Sequence, residues 1–235
     1  RFDSSRFSGK LLQKLGMSEV LGTTYSRALQ SNLFKRVIVA AGDSEIIDYC
    51  LERNLDFIPT IGNFNSGSER VLQAANLLDG KCDVVNLQGD QPLFSMSDLS
   101  NLVFLGAKNY GISTLLFSEN EKYEVSGENP VFATINSLGK IVTFSRKAIP
   151  GGHGINGRLL HIGIYYFPRA LISSDAIPTW FHNCEWSTKE SLEQLNFLCA
   201  GVDVLPVFAN NFPPEVNTKR DLEEAQKYLE ENKNV

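Results

Sequence analysis

Asp83-Val-Val-Asn86-Leu87-Gln88-Gly89-Asp90-Gln91-Pro92 begins as a short apolar strand and stops abruptly at a carboxylate. The run before Gln88 has the β-branched, unalternating composition of a strand covered on both faces, and Gly89 and Pro92 break it. Strands of that kind belong to sheets flanked by helices, where ligands collect beyond the carboxyl ends of the strands. Asp90 therefore has two readings, a turn residue or a carboxylate set out for a metal ion.

Outward from that stretch, apolar runs alternate with amphipathic ones, the pattern of an α/β fold with a mostly parallel sheet. Upstream, 36–42 reads as a buried strand. Asp43 or Ser44 caps a helix that runs to Leu51, 56–61 is a short strand and 66–78 a helix. Downstream, 97–108 reads as a helix and 111–117 as extended. Residues 131–146 form a hairpin turning at Ser137-Leu-Gly139-Lys140, followed by a strand at 159–167. Residues 189–198 and 219–231 read as helices with a strand at 202–208 between them, and the glycine-rich 150–157 as a flexible loop.

The chain has 235 residues, enough for one sizeable α/β core and tight for two. Its hydrophobic fraction of 43% and charged fraction of 21% are those of a soluble globular protein, and no apolar run is long enough to cross a bilayer. A net charge of -5 argues against general nucleic-acid binding, which needs a broad basic face. Cys50, Cys82, Cys184 and Cys199 show no metal-type spacing. Three of them sit among apolar residues, so buried reduced thiols and a cytosolic setting are expected.

Local charge tells more. Arg1-Phe-Asp-Ser4-Ser-Arg6-Phe-Ser8-Gly9-Lys10 packs Arg1, Arg6 and Lys10 into a loop without apolar periodicity. It is either a solvated basic loop or a phosphate cradle, in which Arg forks grip phosphate oxygens and Gly9 admits backbone N–H groups. Asn65-Ser66-Gly67-Ser68-Glu69-Arg70 sits where a loop becomes a helix. It is a capping box, and its free N–H groups and hydroxyls could also receive a nucleotide. His161 heads an apolar strand and reads by itself as a structural residue. Tyr165 reads equally as a packing residue, and Glu193-Gln194 as the polar side of a helix.

Together, Arg1-x-x-Ser4-x-Arg6-x-x-Gly9-Lys10, Ser66 to Arg70 and Leu87 to Pro92 resemble the 3-deoxy-manno-octulosonate cytidylyltransferases, the CMP-Kdo synthetases. The likeness continues through Phe144-Ser-Arg146-Lys-Ala-Ile-Pro150, His161-Ile-Gly-Ile-Tyr165, Leu192-Glu193-Gln194-Leu195 and Val216-Asn217-Thr218 to Glu223. It implies a three-layer, mostly parallel twisted sheet of the nucleotide-diphospho-sugar transferase type. It also implies a single domain over 1–235 with a small dimerisation excursion at about 140–170, and a cytoplasmic homodimer that joins CTP to an eight-carbon sugar acid for lipopolysaccharide or capsule synthesis. By the same resemblance Arg1, Arg6 and Lys10 hold the triphosphate; Ser4, Ser66, Gly67, Ser68 and Arg70 seat the nucleotide; and Asp90 and Asn217 bind Mg²⁺. Gln88, Arg146, His161, Tyr165, Glu193 and Gln194 would face the sugar acid. Departures are Ser8 for Pro, Ser68 for Thr, Gln91 for an acidic residue and Asn217 for the second metal-binding Asp. Because an amide brings no charge, these departures leave open a non-catalytic relative that binds nucleotide or sugar acid, and a separate alternative keeps the enzyme but changes the acceptor to a Kdo analogue or sialic-type acid. A strand and short loop are expected before Arg1.

Overall fold

The computed structural model describes residues 7–64, 66–78, 82–119, 130–149, 157–172 and 184–231. After a 3-10 turn at Lys10–Leu12 come β1 (Lys14–Leu15), β2 (Ser18–Glu19), α1 (Val20–Gln30), β3 (Val39–Ala41), α2 (Ser44–Glu52) and β4 (Phe57–Pro59). Next are α3 (Gly67–Leu77), β5 (Val84–Asn86), α4 (Met96–Gly106), β6 (Ile112–Ser118), β7 (Phe132–Ile135) and β8 (Ile141–Ser145). The chain ends with β9 (Leu159–Phe167), α5 (Arg169–Ile172), α6 (Glu185–Glu190), α7 (Gln194–Cys199), β10 (Val204–Phe208) and α8 (Lys219–Glu231). These elements gather into two compact units: residues up to Asn63 with Leu87–Met96 and the segment from Pro213, and Phe64–Asn86 with Ser97–Phe212.

In the first unit β3 and β4 pair in parallel, Val39 opposite Phe57, with α2 as the crossover. Leu21, Ala41, Ile46, Tyr49 and Cys50 close one apolar cluster, and Leu15, Val20, Leu93, Val216 and Ala225 a second. Helix α1 contributes to both, although no periodic pattern announced it. Gly22, Thr23, Thr24, Tyr25 and Ser26 are weak helix formers, and Glu19 at the N-cap makes no capping hydrogen bond. Tertiary contacts hold α1 instead. A Cβ on Gly22 would lie 2.4 Å from the Tyr49 hydroxyl and 2.5 Å from Ser18 Oγ, so only glycine admits that approach. Beside it the buried Glu19 carboxylate accepts from Lys14 Nζ at 2.6 Å, Tyr49 OH at 2.8 Å and Arg53 Nη2 at 2.8 Å. Burial alone would push its pKa up, but the Lys14 and Tyr49 hydrogen bonds and the Arg53 charge prevail and hold it at about 2.

The second unit is built on a six-stranded sheet. Strand β9 has β6 along one side, and β7 then β5 along the other, all antiparallel to it. β10 lies parallel to β6 and β8 antiparallel to β7, so β5, β6, β7 and β10 share one direction and β8 and β9 oppose it. The expected α/β class holds, with a mixed sheet. Ile112 through Phe117 are all buried, the polar Ser113 and Thr114 included, so β6 is covered on both faces. Register slips between Thr114 and Leu115, whose partners on β9 are Tyr165 and Ile162. There Thr114 Oγ1 donates to the Ile164 carbonyl at 2.8 Å, satisfying an acceptor the bulge would otherwise strand.

Two expectations are corrected here. The helix read over 189–198 is two short helices, α6 and α7, because Ser191 turns left-handed at φ 52° and ψ 46° between them and lets Leu192 into the core. Cys184 and Cys199, read as reduced thiols, are joined as a disulfide with Cα atoms 5.9 Å apart, while Cys50 and Cys82 are free. Most of the 150–157 loop lies outside the described residues. No helix among the described residues is long and apolar enough to cross a membrane.

Candidate functional site

In the first unit, Gly9 adopts φ 68°, a left-handed turn that a side chain would strain, and it swings Lys10 inward until only 8% of the residue is exposed. Lys10 Nζ donates to Asp90 Oδ2 at 2.5 Å and to Asn217 Oδ1 at 2.9 Å. Asp90 is held from below by α1. Thr24 Oγ1 donates to the Gly89 carbonyl at 3.0 Å, Arg27 Nη2 donates to the Phe94 carbonyl at 2.8 Å, and a Cβ on Gly89 would lie 3.3 Å from both the Leu11 and Leu21 side chains, a tight fit. Asn217 is held by the start of α8, where Asp221 Oδ2 accepts from the Asn217 and Thr218 N–H groups and Thr218 Oγ1 accepts from Asp221 N. That reciprocal cap explains the Thr218-to-Asp221 spacing. Val216 N–H to the Asp90 carbonyl, 2.8 Å, ties the two segments together.

Sequence reasoning missed Glu215. Its Oε1 accepts from Gln91 Nε2 at 2.5 Å and its Oε2 from Asn217 Nδ2 at 3.2 Å. Burial first, then the Asp90 charge, push its pKa upward. An acidic residue two positions before Asn217 was the available signal. Among the described residues no three His, Cys, Asp or Glu side chains converge as a metal cage. Two hard oxygens, from Asp90 and Asn217, nevertheless converge on one cationic atom, a donor set that suits Mg²⁺, which takes one or two protein oxygens and completes its shell with phosphates and water.

In the second unit, Ser66 caps α3 by accepting from Glu69 N at 3.1 Å. Ser68 is already engaged: its hydroxyl donates to Glu193 Oε1 at 2.8 Å, its N–H lies 3.3 Å from Glu193 Oε2, and Asn86 Nδ2 donates to its oxygen at 3.0 Å. A carboxylate so placed is favoured by the helix dipole. His161 lies buried between Phe144 and Tyr165, with ring centroids 5.1 and 5.3 Å away. Because the Thr114 proton is given to Ile164, the hydroxyl oxygen accepts from His161 Nε2 at 3.0 Å. Nδ1, 3.3 Å from Gln194 Nε2, is then the acceptor. Burial lowers the ring's pKa to about 3, so it is neutral near pH 7. Both ring nitrogens are used within the protein, which makes His161 a support for Gln194. The Gln194 Oε1 atom is buried with no partner among the described residues.

The structure thus brings Lys10, Asp90 and Asn217 together and, in the other unit, Ser68, Glu193, Gln194, His161 and Tyr165. Gln88 is half-buried in the turn before Asp90, and Gly67 opens α3. Arg70 lies over the Phe64 ring at 4.9 Å, and Arg146 Nη2 donates to the Ser191 carbonyl at 3.0 Å. Arg1, Ser4 and Arg6 lie outside the described residues.

A family described as cytidylyltransferase matches residues 1–204. A 3-deoxy-manno-octulosonate cytidylyltransferase of Chlorobium phaeovibrioides is 33% identical over 232 residues, 95% of this chain and 92% of that protein. One from Rickettsia bellii is 30% identical over 241 residues, 100% of this chain and 95% of that protein. Among solved structures, a CMP:2-keto-3-deoxy-manno-octonic acid synthetase complexed with CTP superposes with a TM-score of 0.86, covering 98% of this chain and 95% of that one. At 24% identity that likeness speaks for the fold.

Proposed function

The chain belongs to the cytidylyltransferase family, and from that premise we propose that it couples CTP to 3-deoxy-manno-octulosonate, giving the CMP-sugar and pyrophosphate. The sugar's anomeric hydroxyl attacks the α-phosphorus, the bond to the β-phosphate oxygen breaks, and the hydroxyl proton leaves to solvent. Such transfer needs in-line positioning and charge neutralisation more than covalent help. The observation that carries the reading is the Lys10 ammonium shared by Asp90 Oδ2 and Asn217 Oδ1. It is a charged point with two hard oxygens about it, matching the family pattern of a phosphate-binding lysine beside metal-binding residues.

Asp90 and Asn217 would hold Mg²⁺, which when bound neutralises triphosphate charge and lowers the pKa of the attacking hydroxyl. Lys10, with Arg1 and Arg6, grips the triphosphate and the departing pyrophosphate. Ser4, Ser66, Gly67 and Arg70 seat the nucleotide, and Glu193 anchors Ser68. Gln194, oriented by His161, offers its Oε1 to a sugar hydroxyl, and Gln88, Tyr165 and Arg146 complete the sugar-acid contacts. The resemblance further supports a cytoplasmic homodimer, which light scattering after gel filtration would detect as twice the chain mass. Pyrophosphate release should require CTP, Mg²⁺ and the sugar acid together. Release with a nine-carbon sialic-type acid but not with Kdo would move the substrate, and nucleotide binding without any release would overturn the reaction.

A further inference from the structure

Gln91 and Asn217, two amides at positions where carboxylates were expected, both donate to one carboxylate. Gln91 Nε2 reaches Glu215 Oε1 at 2.5 Å, and Asn217 Nδ2 reaches Glu215 Oε2 at 3.2 Å. This convergence fixes the Asn217 amide. Its nitrogen must face an acceptor and its oxygen a donor, and only one orientation gives Nδ2 to Glu215 and Oδ1 to the Lys10 ammonium, 2.9 Å away. Gln91 is 1% exposed, so the carboxylate is braced by a side chain with little freedom to move.

We propose that Glu215 is a positioning residue for the cation-assisted reaction. It aims the Asn217 carbonyl oxygen at the point occupied by the Lys10 ammonium. The assignment rests on the nucleotidyltransferase reading above and places a carboxylate behind the coordinating amide, the arrangement by which supporting partners orient a metal ligand and raise its basicity. Asp90 and Asn217 would hold a divalent cation, Lys10 Nζ would then be available to the phosphates, and Glu215 would keep the Asn217 amide oxygen from rotating away. Gln91 and Asn217 therefore act as one unit with Glu215.

The test reads cation affinity without turnover. Mn²⁺ is titrated into the full chain saturated with CTP, with no sugar acid present, and bound metal is followed by electron paramagnetic resonance. Glu215→Gln should weaken Mn²⁺ binding by about tenfold or more, the usual consequence of removing such a partner, with the melting temperature close to the parent's. The double variant Glu215→Gln/Asn217→Asp should return the affinity towards the parent value, because a carboxylate at 217 presents an oxygen to the cation whichever way it is turned. Parent-like Mn²⁺ affinity in Glu215→Gln, whatever its melting temperature, overturns the assignment, as does a double variant no tighter than the single one. Should Glu215→Gln not fold, the double variant against the parent decides: parent-like affinity supports the assignment and weaker binding overturns it. A parent that binds Mn²⁺ with CTP and releases pyrophosphate confines any failure to Glu215, whereas a parent that does neither sinks the reaction as well.

Discussion

Lys10 shows how one side chain links backbone strain to chemistry: the left-handed Gly9 turns the ammonium in, and Asp90 and Asn217 hold it there. Lys10→Ala should lower pyrophosphate release by about 10²- to 10³-fold, the scale of removing one positioned charge-stabilising donor. Because Asp90 keeps 24% of its side chain in solvent, the freed carboxylate can hydrate, and the circular dichroism spectrum should match the parent's. Turnover within a few-fold of the parent would remove Lys10 from the reaction. The lysine and Asp90 were legible because a basic glycine loop and a strand-ending carboxylate are local patterns. Glu215 was not, since its importance lies in Gln91, 124 positions away in the chain.

At the scale of elements, α1 decides where Asp90 sits, through Thr24 to Gly89 and Arg27 to Phe94. Thr24→Val keeps the shape and loses the hydroxyl, so the Gly89 carbonyl goes unpaired. Stability should fall by about 1 kcal/mol in urea denaturation, with a raised Mg²⁺ requirement for turnover as the Asp90 turn loosens. An unchanged denaturation midpoint and unchanged Mg²⁺ requirement would show that α1 does not hold the turn. The pair α6 and α7 is closed by Cys184–Cys199, with a sequence separation of 15. A loop of that size is stabilised by roughly 3 kcal/mol on cross-linking. Dithiothreitol should therefore lower the melting temperature of the parent and leave a Cys184→Ser/Cys199→Ser variant unmoved; equal responses would deny the bond. Strands β3 to β10 and helices α2, α3, α4 and α8 were readable from the pattern of apolar runs, whereas β1, β2, α1 and α5 were not. The break at Ser191 was not, because a left-handed serine carries no pattern of its own.

For the molecule as a whole, acid stability divides between the two units. His161 has a pKa of about 3 when folded against an ordinary 6.5, so the unfolded chain takes up a proton the native state refuses. Its contribution is full above pH 6.5 and declines towards pH 3 by up to about 1.4 kcal/mol per pH unit. Glu19, held at about 2 against 4.5, contributes fully above pH 4.5 and loses that contribution as pH falls to 2. Melting temperatures should thus decline from about pH 6.5 and more steeply below about 4.5, and His161→Gln should flatten the first limb; a parent curve level from pH 6.5 to 5 would contradict the buried neutral imidazole. Composition, alternation of apolar runs and the local motifs around Lys10, Asp90 and Asn217 determined the α/β class, the family resemblance and the outline of the nucleotide chemistry, because each is written in neighbours a few positions apart. Tertiary structure alone decided that a weakly helical α1 forms, that β9 runs against β5 and β6 with a bulge that Thr114 satisfies, and that two amides converge on Glu215. Each of these is settled by contacts between residues distant in the chain, whose energies appear only once burial has removed water as the competing partner.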